Sequence, residues 1–255
     1  MGQAEPPTWV IAHRGASRDC PENTIAAFDE ALRQGCDGIE LDVQLSRDGV
    51  PVVYHDKTLT KAGGGRRRVA QLALRELAAL DVGTRFDARY AGQRIPVLEE
   101  VLDRYGRRTR LFVEIKTREG RAAANRHLLL VRTVAGLVTK MKLENRVWVL
   151  SFDAGLLAAC AREAPRLRPV LNLRPPSRVT PTLRKRLASL HALSVDVRTL
   201  TGTFAAGVRR AGRPLFVFTC NTPRKAERAL AVDPAGVMSD RPGWLIDHFK
   251  RDRNR

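Results

Sequence analysis

The sequence predicts an α/β fold, a TIM-type (β/α)8 barrel, on three observations. Eight short apolar runs recur, at residues 9–13, 38–43, 111–116, 147–152, 169–173, 193–197, 215–219 and 236–240. Amphipathic stretches with helical period separate most of them, at 22–34, 97–105, 122–141, 154–162, 181–190 and 223–231. Strands alternating with helices build a parallel sheet. A chain of 255 residues suits one such barrel as a single domain over 1–255. A doubly wound open sheet is the alternative arrangement of the same elements.

The elements follow in order. The first run, Trp-Val-Ile-Ala-His, ends at His13-Arg14-Gly15, where Gly15 permits a sharp exit and close backbone approach. Side chains alternate along a strand. The second run therefore puts Ile39, Leu41 and Val43 on one face and Glu40 and Asp42 on the other. Residues 50–55 are strand-like too, but too few residues separate them from Val43 for a parallel crossover. They are expected to return as an antiparallel hairpin about Asp48-Gly49, a two-residue turn signal. With those two residues central, Asp42 lies opposite His55.

Residues 57–95 then interrupt the alternation. They hold Gly63-Gly64-Gly65, Arg66-Arg67-Arg68 and a short helix near 74–80, and are expected to form a small cap over the barrel mouth. No Gly-Lys-Ser/Thr follows the glycines, so they are not a nucleotide-binding P-loop. The run 111–116 ends with Glu114 and Lys116 on one face, and later runs end at Asp196 and Asp240, which either support the mouth as polar groups or turn inward. The basic tail, 250–255, is expected to fray.

Composition narrows the class. Hydrophobic residues at 44% and charged residues at 28% are globular proportions. No apolar run approaches a membrane span. The N-terminus lacks the charged-then-apolar pattern of a secretory signal. Cys20, Cys36, Cys160 and Cys220 form no CxxC pair and read as reduced thiols of a cytoplasmic protein. Lys and Arg number 45 against 27 Asp and Glu, a net charge of +18. Yet the first 60 residues carry 10 acids against 5 bases. Carboxylates concentrated in a basic protein point to local work.

Barrel sites form at the C-terminal ends of strands. There the sequence places His13 and Arg14, Glu40 and Asp42, His55, and Glu114 with Lys116. Two like charges on an inward strand face repel unless a cation neutralises them. Mg²⁺ and Ca²⁺ favour such oxygen ligands, and Glu114 is placed to complete a three-carboxylate set. Histidines beside a metal suit proton transfer near neutral pH. Arg14 and Lys116 suit phosphate oxygens. Together these groups suit phosphoryl chemistry. His127, His191 and His248 lie away from strand ends and read as structural or exposed.

The residues, in this order, resemble the glycerophosphodiester phosphodiesterase family. The resemblance is carried by AHRGASRDCPENTIAAFDEALRQGCDGIELDVQLSRDGVPVVYHD (12–56), IPVLEEVL (95–102), FVEIK (112–116), LSFD (150–153), FVFTCN (216–221) and GVMSDRP (236–242). It implies a TIM-type barrel with an insertion after the hairpin. It also implies metal-dependent hydrolysis of glycerophosphodiesters to sn-glycerol 3-phosphate and an alcohol. By position, Glu40, Asp42 and Glu114 would hold one divalent cation, Mg²⁺ or Ca²⁺. His13 and His55 would be the acid–base pair, with His13 favoured as base. Arg14 and Lys116 would contact phosphate, and Phe152 and Phe218 would wall the substrate. The family often carries Trp-Thr where this chain has Phe218-Thr219, and Thr-Asp where it has Ser239-Asp240.

Two rivals stand beside this reading. Lysophospholipase D activity would cleave the same phosphodiester in lysolipids, docking through the basic charge on an anionic membrane surface. Nucleic-acid binding would use that charge too. Aromatic residues are only 5%, however, and the chain carries no motif for specific nucleic-acid recognition. Nothing in the sequence indicates an oligomeric state.

Overall fold

The structure is a computed structural model and describes residues 8–117, 123–174 and 180–253. It runs β1 (Trp9–His13), α1 (Ile25–Arg33), β2 (Gly38–Leu45), β3 (Pro51–Val53), α2 (Leu74–Leu77), α3 (Leu98–Tyr105), β4 (Arg110–Ile115) and α4 (Ala124–Lys140). It continues β5 (Val147–Ser151), α5 (Ala154–Glu163), β6 (Arg168–Leu173), α6 (Pro181–Leu187), β7 (Ala192–Asp196) and α7 (Gly202–Arg210). The last elements are β8 (Leu215–Phe218), α8 (Pro223–Leu230), β9 (Gly236–Ser239) and α9 (Pro242–Arg253).

Among the described residues, all strands but β3 are parallel, in the order β1-β9-β8-β7-β6-β5-β4-β2, and β1–β2 pairing closes the ring. This is the expected TIM-type (β/α)8 barrel. Helices start where the sequence offers caps. Thr24 accepts from the Ala27 N–H, Asp153 from those of Gly155 and Leu156, and Thr180 from that of Leu183. Two helices were not among the expected stretches, α7 and α9. Lys250 belongs to α9, so the basic tail is helical as far as Arg253. Residues 254–255, residue 122 and the N-terminal segment 1–7 lie outside the described residues.

Period two divides each strand between two cores. Outward residues such as Leu41, Val113, Val149 and Val195 pack against the helices with Phe28, Val134, Leu157 and Phe204. Inward residues Ile11, Phe112, Trp148, Val170, Phe216 and Met238 fill the barrel. Phe112 stacks on Trp148 at 4.9 Å and meets Phe216 edge-on at 5.1 Å. Glycine makes the room. A Cβ on Gly38 would lie 3.0 Å from the Phe112 ring, and one on Gly236 3.0 Å from Ile11 and from Phe216. The lower barrel is thus packed and apolar. Further along the same inward faces the residues turn polar.

The hairpin forms, but its register corrects the expectation. Val43 pairs with Val53 and Leu45 with Pro51, and Tyr54 N–H donates to Asp42 O at 2.9 Å. Asp42 is therefore opposite Tyr54, not His55. The turn holds one more residue than expected. Gly49 takes φ +83° and its N–H reaches Ser46 O, giving a three-residue loop closed by a left-handed glycine. Strand pairing also ends earlier, at Val53.

Residues 57–95 follow as short turns around an apolar cluster. Val52 and Tyr54 from the hairpin meet Leu59, Val69, Leu72, Leu77 and Ile95 there.

Candidate active site

The polar ends of the strands converge. His13, Arg14, Glu40, His55, Glu114, Lys116, Phe152 and Phe218 all line one cavity of about 300 Å³. Asp42, fully buried, joins them through Lys116, whose ammonium lies 2.7 Å from Asp42 Oδ1 and also contacts Glu114 Oε1. Every site residue expected from the sequence is in this cluster. His127, His191 and His248 do not line the cavity.

β2 supplies Glu40 and Asp42, and β4 beside it supplies Glu114, in register with Asp42. Oxygens of the three carboxylates lie within 4.8 Å of one another, and all three residues are buried. Burial, with repulsion from Asp42 and Glu114, pushes the Glu40 carboxyl up to about 8 against the pull of His13 and Arg14. Burial would raise Asp42 too, but Lys116, Arg14 and His55 hold it well below the usual carboxylate range. The two cations Arg14 and Lys116 match two of the three carboxylates, and ionising Glu40 as the third calls for a further cation. A compact set of three buried carboxylates, one of them kept from ionising by burial and by the other two, fits a hard divalent cation.

Arg14 is fixed by backbone as well as charge. It sits at φ +61°, followed by Gly15 at +81°. A Cβ on Gly15 would come within 2.6 Å of the Ala27 backbone, so only glycine fits that turn. Arg14 N–H donates to Glu40 Oε2 at 3.0 Å, its Nη1 to Glu22 at 2.8 Å, and its Nε lies 3.1 Å from Asp42 Oδ2. Burial opposes the charge on Arg14 and on Lys116, but neighbouring carboxylates outweigh it and raise both.

Each site histidine has an acidic neighbour. His13 Nδ1 is 2.6 Å from Asp240 Oδ1, and His55 Nδ1 is 2.8 Å from Asp56 Oδ1. A carboxylate only accepts, so each Nδ1 carries a proton, and Nε2 is the ring nitrogen that exchanges protons with a substrate. His13 Nε2 lies 3.9 Å from Glu40. Burial alone would lower the His13 pKa, but Glu40 and Asp240 more than offset it and raise it.

Of the supporting layer, sequence reasoning offered only Asp240 a polar role near the mouth, and it left Asn23, Gln44, Asn172 and Asn221 unassigned. Asp240 Oδ2 accepts from Asn221 Nδ2 at 2.5 Å, and Asn221 Oδ1 accepts from the Asp240 N–H. Asn23, at φ +59°, donates to Asp42 Oδ2 at 2.8 Å and accepts from the Asp42 N–H. Gln44, next on the Glu40–Asp42 face, donates to the carbonyls of Tyr54 and Asp56 on either side of His55. Asn172 Nδ2 donates to Glu114 Oε2 at 3.0 Å. The available signal was place alone: Asn172 and Asp240 fall at inward strand ends.

The comparisons agree with this geometry. Residues 13–244 match the glycerophosphoryl diester phosphodiesterase family. A glycerophosphodiester phosphodiesterase of Caldanaerobacter subterraneus subsp. tengcongensis is 35% identical over 247 residues, 96% of this chain and 98% of the relative. A glycerophosphodiester phosphodiesterase structure from Agrobacterium tumefaciens superposes with a TM-score of 0.78 at 28% identity, covering 94% of this chain and 99% of that one. An Oleispira antarctica phosphodiesterase, solved with its product sn-glycerol-3-phosphate, gives 0.80 at 27% identity over 96% and 97% of the two chains. The chain belongs to the glycerophosphoryl diester phosphodiesterase family.

Proposed function

We propose that this chain hydrolyses glycerophosphodiesters to sn-glycerol 3-phosphate and an alcohol. The observation that carries the proposal is the convergence of two carboxylate-oriented histidines, two cations and a cluster of three buried carboxylates, Asp42 lying just behind the wall, at one cavity in a member of this family. Glu40, Asp42 and Glu114 would hold one divalent cation, Mg²⁺ or Ca²⁺. When bound, it supplies positive charge to a nonbridging phosphate oxygen. With the carboxylates so neutralised, Arg14 and Lys116 are left to hold phosphate oxygens.

His13 Nε2 takes the proton of the attacking hydroxyl, while Asp240 holds the ring in that tautomer and stabilises the charge it gains. A new oxygen–phosphorus bond forms and the phosphorus–alkoxide bond breaks. His55 enters this step as the imidazolium, with a second proton on Nε2; it gives that proton to the departing alkoxide while Asp56 keeps the one on Nδ1. The nucleophile is water, or the neighbouring hydroxyl of the glycerol, which passes through a cyclic phosphate. Phe152 and Phe218, edge to face at 6.2 Å, wall the substrate, and residues 57–95 cap the mouth. The four cysteines are buried and unpaired, which supports a cytoplasmic location. None of the helices in the described residues is long and apolar enough to cross a membrane.

A second reading is favoured by one feature. A cleft of about 250 Å³ adjoins the cavity at His55; Pro21, Tyr54, Val82 and Phe86 give it apolar surface beside the polar Ser17, Glu22, Asn23, Lys61 and Arg85. An acyl chain placed there makes lysolipids substrates, met at an anionic membrane surface. Choline release from glycerophosphocholine and from its lysolipid, with EDTA and then with Mg²⁺ or Ca²⁺ restored, tests both. Metal-restored release from the deacylated diester supports the first reading, and release from the lysolipid alone supports the second. No release from either, by folded protein, refutes both.

A further inference from the structure

The proposed mechanism makes no use of the cationic groups that follow β6, β7 and β8. Arg174 follows β6, Arg198 stands two residues beyond Asp196, and Lys225 lies in the first turn of α8; these three and Asp196 line the cavity. Asp196 is the acid of this wall, and its charge is already met. Arg198 Nε reaches both carboxylate oxygens at 3.0 Å, its Nη2 reaches Oδ2 at 2.5 Å, and its N–H donates to Oδ1 at 2.9 Å. Arg174 and Lys225 therefore leave the wall with excess positive charge. Asn172 adds an acceptor. It is only 3% exposed, and its Oδ1 has no hydrogen-bond partner among the described residues.

The glycerol half of a diester is neutral and gains nothing from two full charges. A choline would be drawn to the rings of Phe152 and Phe218, but the fixed cations repel it over a longer range. We propose that this wall is the subsite for the alcohol half of the diester, and that it takes a hydroxyl-bearing alcohol with its own negative charge, such as a glycerol phosphate. The inference rests on the diesterase reading. Arg174 and Lys225 set specificity by attracting the anion, and Asn172 Oδ1 accepts a hydroxyl of the same group.

The test uses three diesters of sn-glycerol 3-phosphate: with choline, with glycerol, and with glycerol carrying a terminal phosphate. Wild-type kcat/KM is expected to rise in that order, with about tenfold between the first and last, as two partly exposed charge contacts allow. In an Arg174→Gln/Lys225→Gln double variant the ratio falls to about twofold, and in Arg174→Lys/Lys225→Arg it persists. Equal or choline-favouring wild-type rates overturn the inference while leaving the diesterase reading intact. So does a ratio that survives the glutamine pair. If folded protein turns over none of the three, the diesterase reading fails and the inference falls with it.

Discussion

Replacing Asp240 by Asn should silence His13 without moving it. Asp240 spans two partners, accepting from His13 at 2.6 Å and from Asn221 Nδ2 at 2.5 Å. An Asn side chain has one acceptor only. Asn221 Nδ2 is itself pinned, because Asn221 Oδ1 accepts from Ser239 and from the Asp240 N–H. The new oxygen must therefore stay toward Asn221, and the new NH₂ turns toward His13 Nδ1. An NH₂ facing Nδ1 forces the proton to Nε2 and removes the lone pair that the reaction needs. The lost charge-assisted hydrogen bond is worth about 1.5–3 kcal/mol, or roughly 10- to 150-fold in rate. Removing the acid–base partner outright costs about 10²–10⁴. The expected fall in kcat lies between roughly 10² and 10⁴, with the melting temperature nearly unchanged. A double-mutant cycle with His13→Ala decides the cause. Asp240→Asn should cost almost nothing further in the His13→Ala background. An equal loss in both backgrounds would refute the argument that Asp240 acts through His13.

Three further outcomes follow from the same geometry. A cation held by Glu40, Asp42 and Glu114 at about 100 times its Kd adds about 2.7 kcal/mol of stability. Melting should rise by roughly 5–10 °C on its addition, and Asp42→Asn should abolish most of that rise. Asn23→Ala removes two bonds to Asp42 and places a Cβ-bearing residue without a local hydrogen bond at φ +59°; denaturant unfolding should show a loss of about 2–4 kcal/mol. Asn23→Gly should recover roughly 1 kcal/mol of it, and no recovery would remove backbone strain from the account. Gly236→Ala forces a Cβ to 3.0 Å from Ile11 and Phe216; it should cost about 1–3 kcal/mol with little change in KM, and a neutral result would mean that those rings yield freely.

The barrel was legible because burial on two faces leaves a local signature. Period-two runs such as 38–43 and 111–116 carry their apolar and acidic faces in plain view, and the carboxylates they displayed do meet. The hairpin register was misread because a two-residue and a three-residue loop both use Asp48-Gly49. Only the φ of Gly49 and the Ser46–Gly49 bond distinguish them. The supporting layer was hidden for a different reason. Asn172 reaches Glu114 across 58 positions and Asp240 reaches His13 across 227. No local period records a contact between residues so far apart. Asn23 carries no signal of its own in the sequence, and its role as a brace on Asp42 emerges only when the loop after β1 folds against β2.

The bond between His13 on the first strand and Asp240 just beyond the last has a consequence for the making of the protein. A growing chain that has reached residue 116 already carries both histidines, Arg14, Lys116 and all three carboxylates. It still lacks the carboxylate that sets His13 and the strand that seals β1 into the ring. Hydrolysis should therefore switch on late in synthesis, once the segment through Asp240 has left the ribosome and the seam has shut. Fragments truncated before Gly236 should be catalytically silent, so unfinished copies would not attack diesters in the cell.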